Sequence, residues 1–309
     1  VLVKEQKMVF MANKLDLIVK ILSMNYKFFG YLLIAFIFQF SEIYSQDIKF
    51  KKELILKMLD SIDSHNQISF EMFRSERTLK GNYADGKFFA KLQAKPYKIY
   101  AKMKSPKEGA EILYLEGEND NKALVNPNSF PYISMSFDPN GSLLKSDGHH
   151  TIKEAGFVLF SQMFKSHIKS YGDSFFDFIT YDGVYNWNER KCYKITINYI
   201  NYKLEEYNCK KGETLYDIAE NNYINVAKLR FLNPEINDSK ELQESQKITI
   251  TNLYSKKSIL YIDKENYFPI YQIIYDEIGL FEKYIYSQLN INTKIKAIEF
   301  TRDYQEYDF

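Results

Sequence analysis

From Ile68 to Phe137 the chain runs in short segments where large apolar and polar side chains alternate, with only a few residues between segments. That spacing restricts the fold more than any other feature. Two parallel strands need a crossover of a dozen or more residues, so neighbours joined this tightly are antiparallel. The segments are Ile68–Lys80, Lys87–Ala94, Tyr97–Met103, Ala110–Glu116, Lys122–Asn126 and Ile133–Phe137. Gly81-Asn82 and Asp85-Gly86 read as turns between the first two. Aromatic residues form 17% of the chain, 26 of them Tyr and 24 Phe, and such side chains favour a half-buried pleated surface. A large antiparallel sheet is expected.

Helical and further extended segments surround this meander. Asp47–Ser64 places Ile48, Ile55, Met58, Leu59 and Ile62 at helical spacing. Ile152–Ser170 reads as a second helix, with Phe157, Phe160, Met163, Phe164 and Ile168 on its apolar side. Phe175–Trp187 and Arg190–Leu204 read as strands turned at Asn188-Glu189. Tyr254–Asp263 resumes extended chain, and Tyr267–Tyr275 with Leu280–Tyr286 forms a closing hairpin across Asp276–Gly279.

The segment Tyr207–Ile250 has a different grammar. Gly212 breaks a short extended run, and Thr214-Leu215-Tyr216-Asp217 is a capping box that starts a helix. Leu215, Ile218 and Ala219 lie on one face of it, and Asn221-Asn222 ends it. Asn225 caps a second helix carrying Val226, Leu229 and Leu232, which stops before Pro234. Lys247–Thr251 returns as a strand. The order is strand, helix, helix, strand.

These residues resemble a LysM domain: Gly212-Glu213-Thr214-Leu215, Ile218-Ala219, Leu232-Asn233-Pro234, Leu242, and Gln246-Lys247-Ile248-Thr249-Ile250 follow that family's pattern in order. The sequence departs from it at Glu213, where Asp is usual, at Ser245, where Gly is usual, and in having no Pro after the last strand. A non-glycine at position 245 strains the turn if the backbone needs a positive φ there. The resemblance implies binding of N-acetylglucosamine glycans such as peptidoglycan. The implied groove lies between Gly212, Glu213, Thr214 and Leu215 on one side and Asn233, Pro234, Glu235 and Ile236 on the other.

The surrounding chain carries a second resemblance. Phe73, Glu76, Arg77, Leu79 and Gly81, then Lys95-Pro96-Tyr97, Gly109–Tyr114, Asp263, Pro269-Ile270, and Tyr275-Asp276-Glu277 with Gly279-Leu280 are similar to an uncharacterised exported bacterial family related to periplasmic carriers of outer-membrane lipoproteins. The implied fold is α+β: a curved antiparallel half-barrel with covering helices, here interrupted by the small βααβ unit. In the carriers the concave face holds acyl chains. The apolar residues here either line such a cavity or fill it as a packed core.

Met24–Lys27 precedes Phe28–Phe40, an apolar run of signal-peptide length that is short for a membrane span, which needs roughly 20 residues. The expected organisation is an upstream extension over 1–23, a signal peptide over 24–45, the host domain over 46–204 and 253–309, and the inserted unit over 205–252. Export to the periplasm or cell envelope follows. In that compartment Cys192 and Cys209 form one disulfide or remain two buried thiols.

A net charge of +1 argues against a nucleic-acid partner. No metal-protease, nucleophile-elbow, phosphate-loop or dinucleotide motif is present, so no catalytic residue, metal or cofactor is assigned. His149-His150 sits in a polar loop and is expected to be solvated. Glu76-Arg77, adjacent on a strand, points to opposite faces and is expected at the rim. The sequence therefore points to an exported binding protein that holds peptidoglycan through the small unit, with a lipidic ligand in the host. A lipid or lipoprotein carrier with a vestigial LysM unit, and a cell-wall enzyme, stand as alternatives.

Overall fold

The computed structural model describes residues 46–130, 132–141, 148–237 and 240–309, with isolated residues 16, 19, 20, 31 and 144. The leader expected over 24–45, Tyr31 apart, lies outside the described residues. The chain divides into two compact units, Val1–Glu53 and Leu54–Phe309. In the first, residues 46–53 are helical. Everything below concerns the second.

The second unit opens with the helix 54–64 (α1), which buries Leu54, Ile55, Met58, Leu59 and Ile62. The meander follows: β1 (Gln67–Arg77), β2 (Tyr83–Gln93), β3 (Lys98–Ser105), β4 (Glu111–Leu115), β5 (Ala123–Asn126) and β6 (Met135–Phe137). Helix α2 (Val158–Tyr171) comes next, then β7 (Ile179–Trp187) and β8 (Arg190–Asn198). The small unit contributes β9 (Leu204–Asn208), α3 (Leu215–Asn222), α4 (Val226–Leu232) and β10 (Lys247–Thr251). The chain then adds β11 (Lys257–Asp263), β12 (Pro269–Tyr275) and β13 (Leu280–Asn290).

Eleven of these strands form one antiparallel sheet in the order β6-β5-β4-β3-β2-β1-β13-β12-β11-β8-β7. The closing hairpin thus inserts beside β1, which makes β1 a central strand. The α+β class and antiparallel sheet expected from the spacing are present. Strand alternation sets one face inward: Phe70 and Met72 on β1, Phe88, Ala90 and Leu92 on β2, and Ile195 and Ile197 on β8 are all buried. One turn expectation fails. Asp85-Gly86 lies inside β2, opposite Ser75 and Arg74. A Cβ at Gly86 would come within 2.9 Å of Arg74 Nε, so the glycine gives passage to the arginine side chain and does not reverse the chain.

The small unit has the expected element order. β9 pairs antiparallel with β10, and the two helices cover them. Thr214 accepts from the Asp217 N–H and Asp217 returns to the Thr214 N–H, closing the predicted capping box. Asn225 accepts from the N–H groups of Ala227 and Lys228 and starts α4. Leu215, Ile218, Val226, Leu229, Ile248 and Ile250 share a core of the unit's own. Ser245 adopts φ +62, the left-handed conformation that glycine takes more easily, so the substitution noted in the sequence does meet a strained turn.

The possible disulfide is not formed. Cys192 and Cys209 are both free and buried. Cys192 sits on β8 opposite Asp263 and Tyr185 in the large sheet, whereas Cys209 belongs to the core of the small unit. Two separate cores each bury one thiol.

Leu229 is fully buried in the small unit. Leu229→Ala should lower stability by about 2–5 kcal/mol in chemical denaturation, the cost of a large-to-small change in a closed core.

Candidate functional site: a lined cavity with a buried polar end

The inner face of the large sheet encloses a cavity of about 250 Å³. Met72, Phe88, Ala101, Ile112 and Val125 supply one side, from β1 through β5. Leu260, Ile274 and Tyr286 supply the other, from β11 to β13. Those eight strands are consecutive in the sheet. Laid flat they would extend over about 34 Å at ~4.8 Å per strand, far more than one small cavity can touch. The sheet therefore wraps around the space. Its end strands, β6 and β7, do not pair with each other, so the wrap stays open. Helix α2 roofs the space with Leu159, Phe160, Met163 and Phe164; the last three belong to the apolar side expected from its helical spacing, Leu159 does not, and Ile168 of that side does not border the space. Phe157, just before the helix, is used differently: it packs among Phe70, Phe268 and Tyr286 as core.

One end of the cavity is polar, bordered by Arg74, Glu76, His150, Glu154, Tyr254 and Tyr284. Behind it lies Glu282 of β13, with no solvent exposure. Its carboxylate accepts from Asn225 Nδ2 at 2.6 Å, from the Tyr254 hydroxyl at 2.8 Å, and faces His149 Nδ1 at 2.8 Å and His150 Nε2 at 3.4 Å. The other His149 ring nitrogen faces the Arg77 carbonyl at 2.7 Å. Glu76 accepts from the Tyr284 hydroxyl at 2.7 Å, from the His149 N–H at 3.0 Å and from Arg74. Arg77 pairs with Asp276 and donates to the Leu280 carbonyl at 3.1 Å.

The small unit takes part through α4. Asn225, at its start, reaches Glu282, and Lys228 binds Asp276 at 2.8 Å and Glu277 at 2.5 Å. Phe231 packs edge-on against Phe281 and His149. Four segments distant in sequence therefore meet: β1, the 148–154 loop, α4 and the β12–β13 hairpin.

Two sequence expectations are corrected here. His149-His150 is not a solvated pair: His149 has no exposure, and the His150 side chain is 21% exposed. Glu76 and Arg77 are not rim residues: they are 1% and 7% exposed. Polar composition near positions 138–150 carried no sign that Glu282, some 130 residues on, would draw the pair inward. The missed signal was the buried register of β13, where Glu282 falls on the inward face with Tyr284 and Tyr286.

Charge in the cluster follows the contacts. Burial would push the His150 imidazole down, but its bonds to Glu154 and Glu282 outweigh this and raise it well above the ordinary 6.5. Burial would raise Glu282, but His149 and His150 hold it far below the ordinary 4.5. Asp276 is likewise held low against burial by Arg77 and Lys228.

The eight glycan-site residues read from the sequence are placed as follows. Leu215 and Ile236 are core residues of the small unit. Asn233 is buried, bonding the Leu229 carbonyl and both the N–H and carbonyl of Thr249. The Glu213 carboxylate accepts from the Lys210 N–H and the Tyr207 hydroxyl, and Thr214 is occupied as a helix cap. Gly212, Pro234 and Glu235 are exposed. A shallow depression beside Asn233 and Glu235 is bordered by Leu204, Glu206, Lys247 and Thr249 of β9 and β10, not by Gly212–Leu215.

Residues 65–255, more than half of the chain, match the family model described as protein of unknown function (DUF1571). The chain belongs to the DUF1571 family. The match takes in the meander, α2, the small unit and Tyr254, and so most of the polar cluster. No curated protein matches the chain. Among solved structures it is similar to a DUF1329 family protein from Desulfovibrio piger, at 12% identity over 82% of this chain and 97% of that one, TM-score 0.33. It is also similar to lipoprotein LppX of Mycobacterium tuberculosis, at 9% identity over 80% and 99%, TM-score 0.37. A LolA superfamily protein from Nitrosomonas europaea gives 11% identity over 82% and 97%, TM-score 0.29. Likeness this remote fixes neither ligand nor partner.

The cluster sets a pH profile. Glu282 and Asp276 have lowered values, so the stability they add is present above the unfolded range near 4 and is lost as pH falls through the folded values. His150 has a raised value, so its contribution is complete below about 6.5 and declines as pH rises through the folded value. Denaturation midpoints should be highest between these limbs. Glu282→Gln, which takes from the half-buried His150 one of its two carboxylate partners and leaves Glu154 as the other, should cost about 1–3 kcal/mol at pH 6. A monotonic profile, or a variant as stable as wild type, contradicts this assignment.

Proposed function

We propose that this DUF1571 protein is an exported binding protein that holds the acyl chain of a lipidic ligand in the cavity of its wrapped sheet. The observation that supports it is the cavity itself: mostly apolar on two sheet walls and a helix roof, with Arg74, Glu76, His150 and Glu154 gathered at one end and few polar side chains elsewhere, Lys107, Ser258 and Gln272 among them. Binding pockets for amphiphiles have that lining, a mostly apolar wall with a few polar groups that orient the ligand. Apolar side chains in a wrapped sheet more often meet and fill the space. Here Ala101, Ala110 and Ala155 stand where larger residues would close it. Burying a chain there gains about 0.8 kcal/mol per methylene, which suffices for a carrier of insoluble lipid. Export rests on the Phe28–Phe40 run. We read the protein as a binder and not an enzyme: the hydroxyl at the polar end that is set against a histidine, Tyr254 at 2.9 Å from His150 Nε2, donates to the buried Glu282, which makes it part of the structural cluster.

Organic extraction of the purified protein followed by mass spectrometry should recover acyl lipid. Met163→Trp, which projects bulk from the roof into the cavity, should reduce binding of a fluorescent fatty-acid probe at least tenfold. Equal binding by wild type and variant removes the proposal.

A second reading, that the small unit binds N-acetylglucosamine glycan, is favoured by its strand–helix–helix–strand order and by the exposed Gly212, Pro234 and Glu235. Single sugar contacts are weak, so affinity on the order of millimolar to micromolar is the scale. The full chain should co-sediment with purified peptidoglycan, and Glu235→Trp, at an exposed position, should change the bound fraction. No co-sedimentation by wild type leaves the unit as a structural part of the host.

A further inference from the structure

The polar end of the cavity holds donors and acceptors in unequal supply, and the imbalance specifies a head group. Each carboxylate there already has its donors. Glu76 receives Tyr284, the His149 N–H and Arg74. Glu282 receives Asn225 and Tyr254 beside the two histidines. Glu154 receives the Thr151 N–H and lies against His150. The Tyr254 and Tyr284 hydroxyls donate to Glu282 and Glu76. Arg74 is different. Its guanidinium borders the cavity and bonds Glu76 through Nη1, with no other partner among the described residues. Arginine carries several N–H donors and no acceptor, so donor capacity is left over.

The side chain is also set in place. Gly86, on the neighbouring strand, lies opposite Arg74, and a Cβ there would crowd Nε and Cγ. The absence of a side chain at 86 lets the arginine lie along β2 with its fork held at the cavity wall, its side chain only 19% exposed. A planar fork with spare N–H groups in a low-dielectric wall suits an acceptor-only anion.

We infer that Arg74 is the head-group determinant of the cavity, and that the ligand is an amphiphile ending in a carboxylate or phosphate. The inference rests on the acyl-chain reading above. The chain lies along the apolar wall from Met72 toward Met103, and the anion takes the donors of Arg74 that Glu76 leaves open.

Three probes of one chain length separate the possibilities: a long-chain fatty acid, the alkyl phosphate monoester, and the primary alcohol. Binding to the full chain is followed by displacement of a fluorescent acyl probe. The acid or the phosphate should bind at least tenfold more tightly than the alcohol, and whichever is tighter names the source of the anion. In Arg74→Gln the ratio of anion to alcohol affinity should fall to about one, and in Arg74→Lys it should be intermediate. Inorganic phosphate alone should not displace the probe. A ratio near one in wild type overturns the inference without touching the acyl-chain reading and needs no variant to fold. A ratio that survives Arg74→Gln but is lost in Lys107→Gln also overturns it, since Lys107 is a second cation on the cavity wall. Failure of all three probes to bind sinks the acyl-chain reading instead.

Discussion

A carboxylate with no solvent exposure, Glu282, sits on the inward face of a central hairpin strand, and the arrangement around it depends on satisfying that charge. An isolated buried carboxylate is costly in a low-dielectric interior. Four side chains from three segments converge on this one: His149 and His150 from a loop, Asn225 from α4, and Tyr254 from the chain leaving the small unit. Each of those segments is thereby fixed relative to the sheet. The loop that would otherwise be a solvated surface run becomes part of the interior, and the small unit acquires a defined seat.

The seat has an electrostatic part and a packing part. Lys228 is 2% exposed and reaches Asp276 and Glu277, while Arg77 pairs with the same Asp276 carboxylate. Phe231 closes the gap beside Phe281. Buried pairs of this kind are weak sources of net stability but strong sources of geometric definition, because breaking one leaves an uncompensated charge. The consequence for function is positional. The same cluster that seats the small unit forms the polar end of the cavity, so the seat and the cavity share residues His150 and Tyr254.

The strands of the meander, the α2 apolar face, the capping box at Thr214 and the cap at Asn225 were legible because each depends on residues within a turn or two. Periodicity and capping are local rules. The polar end was not legible. His149-His150 reads as surface, Glu76-Arg77 reads as rim, and Asp85-Gly86 reads as a turn, because in each case the deciding partner lies far away in sequence: Glu282 for the histidines, Asp276 and Tyr284 for the Glu-Arg pair, Arg74 across the ladder for Gly86.

The sequence by itself determined the class of the fold. Short gaps force antiparallel neighbours, alternating side chains force a two-faced sheet, and the capped pair of helices between two strands forces a small separate core. Only the tertiary structure decided whether the inward apolar residues meet or leave space, and which of many acidic and basic residues lose their water. Both outcomes depend on how far the sheet wraps and where the β12–β13 hairpin inserts beside β1. Those are sums over pairings remote in the chain, and no local pattern encodes them.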